Sequence, residues 1–208
     1  MTGYERTLAA IKGKSYDRQP IYGWVWGNLE REITEYWGSV ADFEDKYEFD
    51  IAHLFGGPYC FNEAVVRTAA PLESEDLTPD LLVDLPIFGN PNNIADYEGF
   101  RAGLAHHKKR GRFCYAQTPG FFENFNGLFG IQNHLMWLAE YPDELNELYR
   151  RMSDWTVQFV DRSVELGVDM IHISDDWGAQ KDLMFNPSLW RDESSSCKSS
   201  PRSMAQTE

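Results

Sequence analysis

The stretch that decides the fold is GVDMIHISDDWGAQKDLMFNPSLW, residues 167–190. Gly167 ends the long polar and apolar pattern that precedes it, as glycine often does after a helix. The apolar run Met170–Ile173 is too short for a helix and suits a buried strand. An acidic loop with Asp175 and Asp176 follows, and this helix–strand–loop order is typical of repeated β/α units. Because ligands in such folds bind at the carboxyl ends of strands, the loop is predicted to form part of a binding site.

The composition is that of an acidic globular protein rich in aromatic residues. The 208 residues suffice for one domain with a core, and the hydrophobic share of 42% and charged share of 25% are ordinary. Aromatic residues make up 14% of the chain, and Trp and Tyr often line ligand pockets. A net charge of -14 argues against nucleic-acid binding, which requires a basic surface. No apolar run is long enough to cross a bilayer, so no membrane partner is expected.

The amino terminus and the cysteines predict a cytoplasmic location. The opening sequence MTGYERTLAAIKGK lacks the apolar stretch of a signal peptide. Cys60, Cys114 and Cys197 are far apart and odd in number, which is typical of proteins in a reducing compartment.

The rest of the chain alternates predicted helices with predicted strands. Helices are predicted over residues 4–12, 29–37, 94–109 and 142–165, with one or two short helices over 121–138 and a last helix capped by Asn186. Strands are predicted over residues 21–26, 47–55, 112–117 and 170–173. Residues 60–93 are punctuated by proline, and 65–68 is a further candidate strand within them.

The alternation of predicted helices and strands ends after Arg191. From Asp192 onward the sequence reads DESSSCKSSPRSMAQTE, which is Ser-rich and has no apolar period. Such a segment cannot bury a face, so residues 192–208 are predicted to be a disordered tail. We interpret the abrupt change as a truncated or frame-shifted end.

Several short motifs, taken in order, resemble uroporphyrinogen decarboxylase and its relatives, the corrinoid-dependent methyltransferases. They are DRQPI at 17–21, the apolar run at 50–55, TPGF at 118–121, DDWG at 175–178 and NPSLWR at 186–191. The resemblance covers residues 4–191 and depends on the ordered set of motifs. It implies a (β/α)8 TIM barrel, of which residues 1–191 would supply roughly the first half, with four or five strands.

The groups that bind the decarboxylase substrate are missing from the matching places. The decarboxylases carry arginines after their first strand, which suit a polycarboxylate, whereas residues 24–28 here contain none. They carry an aspartate after the second strand, where this chain has Phe55 followed by two glycines. The basic cluster at 108–112 precedes a strand, which places it on the opposite, stabilising face of a barrel. The resemblance therefore favours methyl transfer over decarboxylation.

The methyltransferase branch implies cofactors that this stretch of chain does not supply. That branch activates a thiol at a zinc site of the form His-x-Cys…Cys, late in the barrel, and none of the three cysteines here follows a His-x pattern. No cofactor is therefore expected within residues 1–191. A full-length methyltransferase would use zinc and a corrinoid, with a small-molecule substrate and a corrinoid protein as partners, and a homodimer is compatible with this organisation.

Three residues of the opening stretch are the predicted catalytic groups. Asp175 and Asp176 could orient a substrate hydroxyl or amine, or share a proton; the alternative is that one of them caps the following loop or helix. His172 shares a strand face with Ser174 and could act as acid, base or metal ligand; the alternative is a hydrogen-bonded core histidine.

Seven further residues are predicted to bind substrate because they lie at or near strand ends. The amides would orient a small polar ligand, and the aromatic side chains would wall the pocket unless they are core residues. His53 has a similar place on the second predicted strand as His172 has on its own. Glu123 either completes a carboxylate cluster or belongs to the first turn of a helix. The seven are Trp24, Asn28, His53, Tyr59, Gln117, Glu123 and Gln180.

Three functions remain open at this point. The first is methyl-group transfer of the cobamide-dependent type, or a related uncharacterised activity. The second is uroporphyrinogen decarboxylation in porphyrin and heme biosynthesis. The third is a catalytically inactive product, because a barrel that stops after four or five strands leaves strand edges unpaired and apolar interior exposed.

Overall fold

The computed structural model describes residues 1–25, 29–69, 77–189 and 191. The residues 26–28 and the predicted tail at 192–208 lie outside the described residues. The chain separates into two compact units. Unit 1 comprises Met1–Gly57, Ile94–Gln117 and Ser163–His172, and unit 2 comprises Pro58–Asn93, Thr118–Arg162 and Ile173–Glu208.

A three-stranded parallel sheet confirms the α/β class. Its strands are β1 (Ile51–Leu54), β2 (Phe113–Thr118) and β3 (Met170–Ile173), in the order β1-β2-β3. Strands β1 and β2 run in parallel, with His53 opposite Tyr115. The arrangement is compatible with part of a barrel, and within the described residues the sheet does not close.

Helices fill most of the remaining described chain. They are α1 (Gly3–Ile11), α2 (Glu30–Trp37), α3 (Val40–Lys46), α4 (Glu63–Ala69), α5 (Pro79–Leu82), α6 (Glu98–Lys109), α7 (Phe121–Phe129), α8 (Ile131–Glu140) and α9 (Pro142–Leu166). Among the helices of the described residues, none combines the length and apolarity that crossing a bilayer demands.

Local side chains explain where several helices begin and end. Thr2 and Glu5 form a reciprocal capping box at the start of α1. Gly130, with a φ of 78°, separates α7 from α8, so the predicted pair of short helices is confirmed. The Asn186 side chain accepts a hydrogen bond from the Ser188 amide at 2.9 Å, which confirms the predicted cap of the last helical turn.

Two strand predictions are wrong. Residues 21–25, the described part of the first predicted strand, form no ladder. Their backbone bonds the sheet at its edge, where the Ile21 carbonyl accepts from the Asp50 and Ile51 amides at 2.9 and 3.4 Å. The candidate strand at 65–68 lies inside α4, where helical spacing pairs Glu63 with Arg67.

The second predicted strand is shorter than expected. Residues 47–55 were an apolar strand candidate, but β1 begins only at Ile51. Glu48 has a φ of 51°, so the chain turns there before it becomes extended. Helix α3, which sequence reasoning did not identify, ends just before this turn, and the Ser39 hydroxyl caps its start.

Each unit has its own buried residues. In unit 1, Val25, Ile33, Val40 and Phe49 form a buried cluster. In unit 2, the Phe-rich run of α7 is buried at positions 122, 125 and 129.

Candidate functional site

One face of the sheet in unit 1 carries a set of aromatic rings, which we call the ring layer. At its centre the His53 ring stacks on Tyr115, with centroids 4.6 Å apart and planes 5° apart. The His172 ring meets the other side of Tyr115 at 5.9 Å. The stacking follows from the register, because residues opposite each other on neighbouring strands project to the same face. The ring layer comprises Tyr22, Trp24, His53, Phe55, Tyr115 and His172.

Trp24 and Phe55 form the open end of the ring layer. The Trp24 ring lies 4.6 Å from His53, and Phe55 lies 4.1 Å from the same ring. Trp24 and Phe55 nevertheless expose 48% and 41% of their surfaces. Large aromatic side chains that stay accessible in a cluster are typical of interaction sites.

Two titratable groups of the ring layer, His53 and Tyr115, are held neutral near pH 7. Burial, together with the nearby His172, lowers the pKa of His53 to about 4. Burial and a hydrogen bond with the Tyr22 hydroxyl raise the pKa of Tyr115 well above its usual range. The Nδ1 atom of His53 is buried without a hydrogen-bond partner among the described residues, which differs from a hydrogen-bonded core histidine.

Asp175 caps a helix of unit 2. Its Oδ2 atom accepts from the Phe122 amide at 3.0 Å, and its Oδ1 atom accepts from the Glu123 amide at 3.1 Å. The residue at the N-cap position of α7 is Gly120, which has no side chain to do this. Of the alternatives for the two aspartates, Asp175 therefore caps a helix, although α7 precedes it in the chain. A catalytic role for Asp175 stays a prediction.

The carboxylates of Glu123 and Asp175 meet beside Gly120, and Asp176 acts electrostatically on Glu123; we call these three residues the acidic cluster. Burial, followed by the charges of Asp176 and Asp175, raises the pKa of Glu123. A Cβ atom on Gly120 would lie 2.7 Å from both Asp175 Oδ1 and Glu123 Oε2, and 2.8 Å from a backbone carbonyl. Glycine thus leaves the space in which two carboxylates converge, and the raised pKa suits Glu123 to exchange a proton.

The other predicted binding residues are dispersed. Gln117 follows Tyr115 by two positions on β2, so both project to the same face, and Gln117 is half-buried. Tyr59 exposes 85% of its surface. Gln180 is exposed in a turn that the Ala179 amide and Asp182 carbonyl close at 2.7 Å. The position of Asn28 lies outside the described residues.

The basic residues that precede β2 belong to a structural network. The Arg112 guanidinium is 3% exposed and donates to the Phe49 carbonyl at 2.9 Å and to Asp45 at 2.7 Å. Arg110 binds the same Asp45 at 2.6 Å, and Lys108 binds Asp169 at 2.5 Å. These cations are already paired with carboxylates near the amino-terminal ends of the strands, and removing one partner of a buried pair would leave the other charge uncompensated.

A cavity of about 500 Å³ opens at this amino-terminal end of β1 and β2. Its arginine guanidinium groups bind carboxylates in or beside the cavity. The cavity therefore belongs to the structural network and not to the predicted ligand site. It is lined by Met1, Thr2, Gly3, Arg6, Arg18, Asp45, Glu48, Phe49, Asp50, Arg110 and Arg112.

The described cysteines do not fit the zinc site that the resemblance implies. Within the described ranges, no three His, Cys, Asp or Glu side chains converge to hold a metal. Cys60 and Cys114 are buried, and burial raises the pKa of each thiol to about 12. Zinc binds the thiolate, which such burial disfavours. Cys197 lies outside the described residues.

Sequence reasoning missed three members of the ring layer, namely Tyr22, Phe55 and Tyr115. Tyr115 and Gln117 are two positions apart on β2, and Tyr22 and Trp24 are two positions apart in the first predicted strand. A period of two therefore puts the members of each pair on the same strand face. The central position of Tyr115 depends on its register with His53, which no local pattern reveals.

A solved structure described as a methyltransferase from Methanosarcina mazei is similar to this chain. The TM-score is 0.55 with 17% sequence identity, and the likeness covers 95% of this chain and 68% of that one. At this identity the comparison shows a shared fold. No family profile matches the chain, and no curated protein matches it.

Proposed function

We propose that this chain is a methyl-group transferase of the corrinoid-dependent type, built on the plan of a (β/α)8 barrel. The observation that carries the proposal is the ring layer. His53 and His172 lie in the carboxyl-terminal halves of β1 and β3, Tyr115 is the third of the six residues of β2, and Phe55 directly follows the carboxyl end of β1. In parallel α/β folds this is the end at which ligands bind. The fold shared with a methyltransferase supports the same proposal.

The chemistry of methyl transfer suits an uncharged aromatic surface. The methyl carbon moves from a heteroatom of the donor to a nucleophile of the acceptor. The donor keeps the electrons of the broken bond, and the acceptor supplies those of the new one. With a thiol acceptor, the thiol proton passes to the leaving group. An aromatic wall that excludes water from the reacting carbon protects it from hydrolysis.

The predicted catalytic roles of Asp175, Asp176 and His172 remain part of the proposal, each to be tested by its own variant. The corrinoid and its carrier protein also remain proposals, as does zinc, whose ligands are not among the described cysteines.

For the alternative, uroporphyrinogen decarboxylation, the ring layer offers no cation to bind the carboxylates of the substrate. A polycarboxylate needs arginine or lysine partners, and the ring layer contains neither. The arginines that precede β2 are already bound to carboxylates. Within the part of the chain that the structure describes, no feature favours this alternative over methyl transfer.

The test is a methyl-transfer assay on the purified chain. Methylcobalamin and a small thiol are supplied with and without Zn²⁺, and the methyl thioether is quantified by mass spectrometry. We expect product above the protein-free background, and at least about a tenfold loss on His53→Ala, since 1.4 kcal/mol of binding corresponds to a factor of ten. The control is Tyr36→Ala, because Tyr36 is an 80% exposed ring of unit 1 outside the ring layer. Coproporphyrinogen formed from uroporphyrinogen would contradict the proposal.

A further inference from the structure

A second group of aromatic rings in unit 1 is carried by the short helices α2 and α3 and the residue that follows α3. We call this group the α2–α3 surface, and its members are Tyr36, Trp37, Phe43 and Tyr47. We propose that the α2–α3 surface binds a basic segment of a protein partner, with lysine or arginine side chains placed over its rings. The surface shares no residue with the ring layer, so the inference is independent of the proposed methyl transfer.

The four rings form one continuous group. The Trp37 ring is central, with centroid distances of 5.1 Å to Tyr36 and 5.5 Å to Tyr47. Phe43 completes the group, at 5.9 Å from Trp37 and 4.8 Å from Tyr47. Tilted and edge-to-face pairs at these distances are favourable, so the rings hold one another in place.

The core of unit 1 supports this group from below. Trp37 and Phe43 pack against the buried cluster of unit 1, where Phe43 contacts the Phe49 ring at 5.8 Å. Tyr36 and Tyr47 expose 80% and 47% of their surfaces. Aromatic side chains on a rigid base lose little conformational freedom on binding, which is why Trp and Tyr often anchor protein interfaces.

The exposed charges of the same segment are mostly negative. Residues 30–48 carry five exposed carboxylates, at positions 30, 32, 35, 42 and 48, and two exposed cations, Arg31 and Lys46. Glu32 pairs with Arg31 at 3.0 Å, but an ion pair exposed on the surface contributes little free energy and can exchange for a partner's cation. The segment therefore attracts a basic partner and repels an acidic one.

Two of these carboxylates lie next to the rings. Glu32 precedes Tyr36 by four positions, so both side chains share one face of α2. A Cβ atom on Gly38, the residue after Trp37, would lie 3.3 Å from Asp42 Oδ2. A lysine or arginine placed here can contact a ring face and a carboxylate together, which combines cation–π attraction with an ion pair.

The charges also decide between a basic partner and other occupants. Within the described residues, the cations found over rings are Lys108 on Tyr4 and Arg151 on Phe88, so the chain itself supplies none to the α2–α3 surface. A second copy of the chain would bring a second excess of carboxylates to the same interface, and like charges placed together cost free energy. A basic segment suits both the rings and the carboxylates.

The binding test uses the peptide acetyl-Gly-Arg-Gly-Arg-Gly-amide as the probe, titrated into the ¹⁵N-labelled chain and followed by NMR. The same peptide with glutamate in place of arginine tests an anion, and with serine it tests an uncharged chain. We expect the arginine peptide to bind most tightly, to shift the signals of residues 30–48, and to bind more weakly as salt is raised.

Matched variants test the rings and the charge separately. Tyr36→Ala should weaken binding of the arginine peptide about two- to fivefold, the factor that about 0.5–1 kcal/mol of cation–π attraction produces, whereas Tyr36→Phe keeps the ring and the affinity. Tyr59→Ala removes an 85% exposed ring of unit 2 and should have no effect. Glu32→Gln should weaken binding more than Glu140→Gln, which removes the same charge from an exposed position on α8.

Several results would overturn the inference. One is equal binding of the glutamate or serine peptide, and another is a set of shifted signals outside residues 30–48. Equal effects of Tyr36→Ala and Tyr59→Ala, or of Glu32→Gln and Glu140→Gln, would reduce the attraction to net charge alone. Signals of residues 30–48 that move when the chain is diluted without peptide would make a second copy the occupant.

Discussion

At the scale of single residues, Gly120 is where one added methyl group would disturb the acidic cluster most. We expect Gly120→Ala to lower the free energy of unfolding by about 1–3 kcal/mol, the usual cost of overpacking, because its Cβ would lie 2.8 Å from the Ser174 carbonyl. Urea unfolding measures this. Gly127→Ala is the matched control in the same helix, since nothing lies within 4 Å of its Cβ, and it should stabilise by roughly 0.5–1 kcal/mol. Equal stability of both variants would contradict the crowding at Gly120.

A second prediction at the residue scale concerns acid and the fully buried His134. Its two ring nitrogens bind Asn126 and Tyr149 at 2.7 Å, and burial lowers its pKa to about 4. The unfolded chain binds this proton near the ordinary pKa of 6.5, so the contribution to stability is present above pH 6.5 and is lost as pH falls toward 4. Replacement by glutamine, His134→Gln, should make the loss of stability shallower by up to about 1.4 kcal/mol per pH unit in this window. Urea titrations at several pH values measure it, and parallel curves for both proteins would contradict the assignment.

At the scale of elements, the predictions that the structure confirms concern elements whose formation depends on residues close together in the sequence. Helix α9 follows from Pro142 and the acidic residues after it, and β2 follows from a continuous apolar run. The strand predicted at 21–26 needs a ladder of hydrogen bonds with a neighbouring strand. In the described residues 21–25 no ladder forms, and the sheet backbone bonds the Ile21 carbonyl. The β-branched residues at 65–68 indicated a strand, but helical pairing prevails there.

The candidate site shows the same limit at the element scale. A period of two put His172 on the same strand face as Ser174 and His53 similarly on its own strand, and both rings contact Tyr115. That Tyr115 joins them depends on strand order and register, which are set by contacts distant in sequence. The cap that Asp175 supplies to α7 was equally out of reach, since more than 50 residues separate the bonded groups.

The cap of α7 gives the prediction for this scale. Asp175→Ala removes the acceptor of two helix amides and should cost about 1 kcal/mol of folding free energy, typical of a lost N-cap. Asp176→Ala, at an exposed neighbouring carboxylate, is the control and should stay within about 0.5 kcal/mol of the wild type. Unfolding free energies decide the matter, and equal effects of the two variants would exclude the capping role.

At the scale of the whole molecule, we expect the exposed apolar side chains of β3 to make copies of the chain associate. Ile173 exposes 70% of its surface and Met170 38%, on a strand at the edge of the sheet. Exposed apolar edge strands pair with other chains unless a charge blocks them. We expect concentration-dependent association by light scattering, reduced by Ile173→Lys and not by Tyr36→Lys, whose ring is 80% exposed on α2. A wild-type chain that stays monomeric at all concentrations would contradict this expectation.

The central claim is that the ring layer serves methyl transfer, and isotope tracing tests it most directly. Methylcobalamin labelled with ¹³C in its methyl group is incubated with the chain and a thiol, and the label is followed by NMR. We predict that ¹³C appears in the methyl thioether and falls about tenfold or more in Trp24→Ala but not in Tyr36→Ala, the factor that loss of about 1.4 kcal/mol produces. Label that stays on the cobamide would contradict the account.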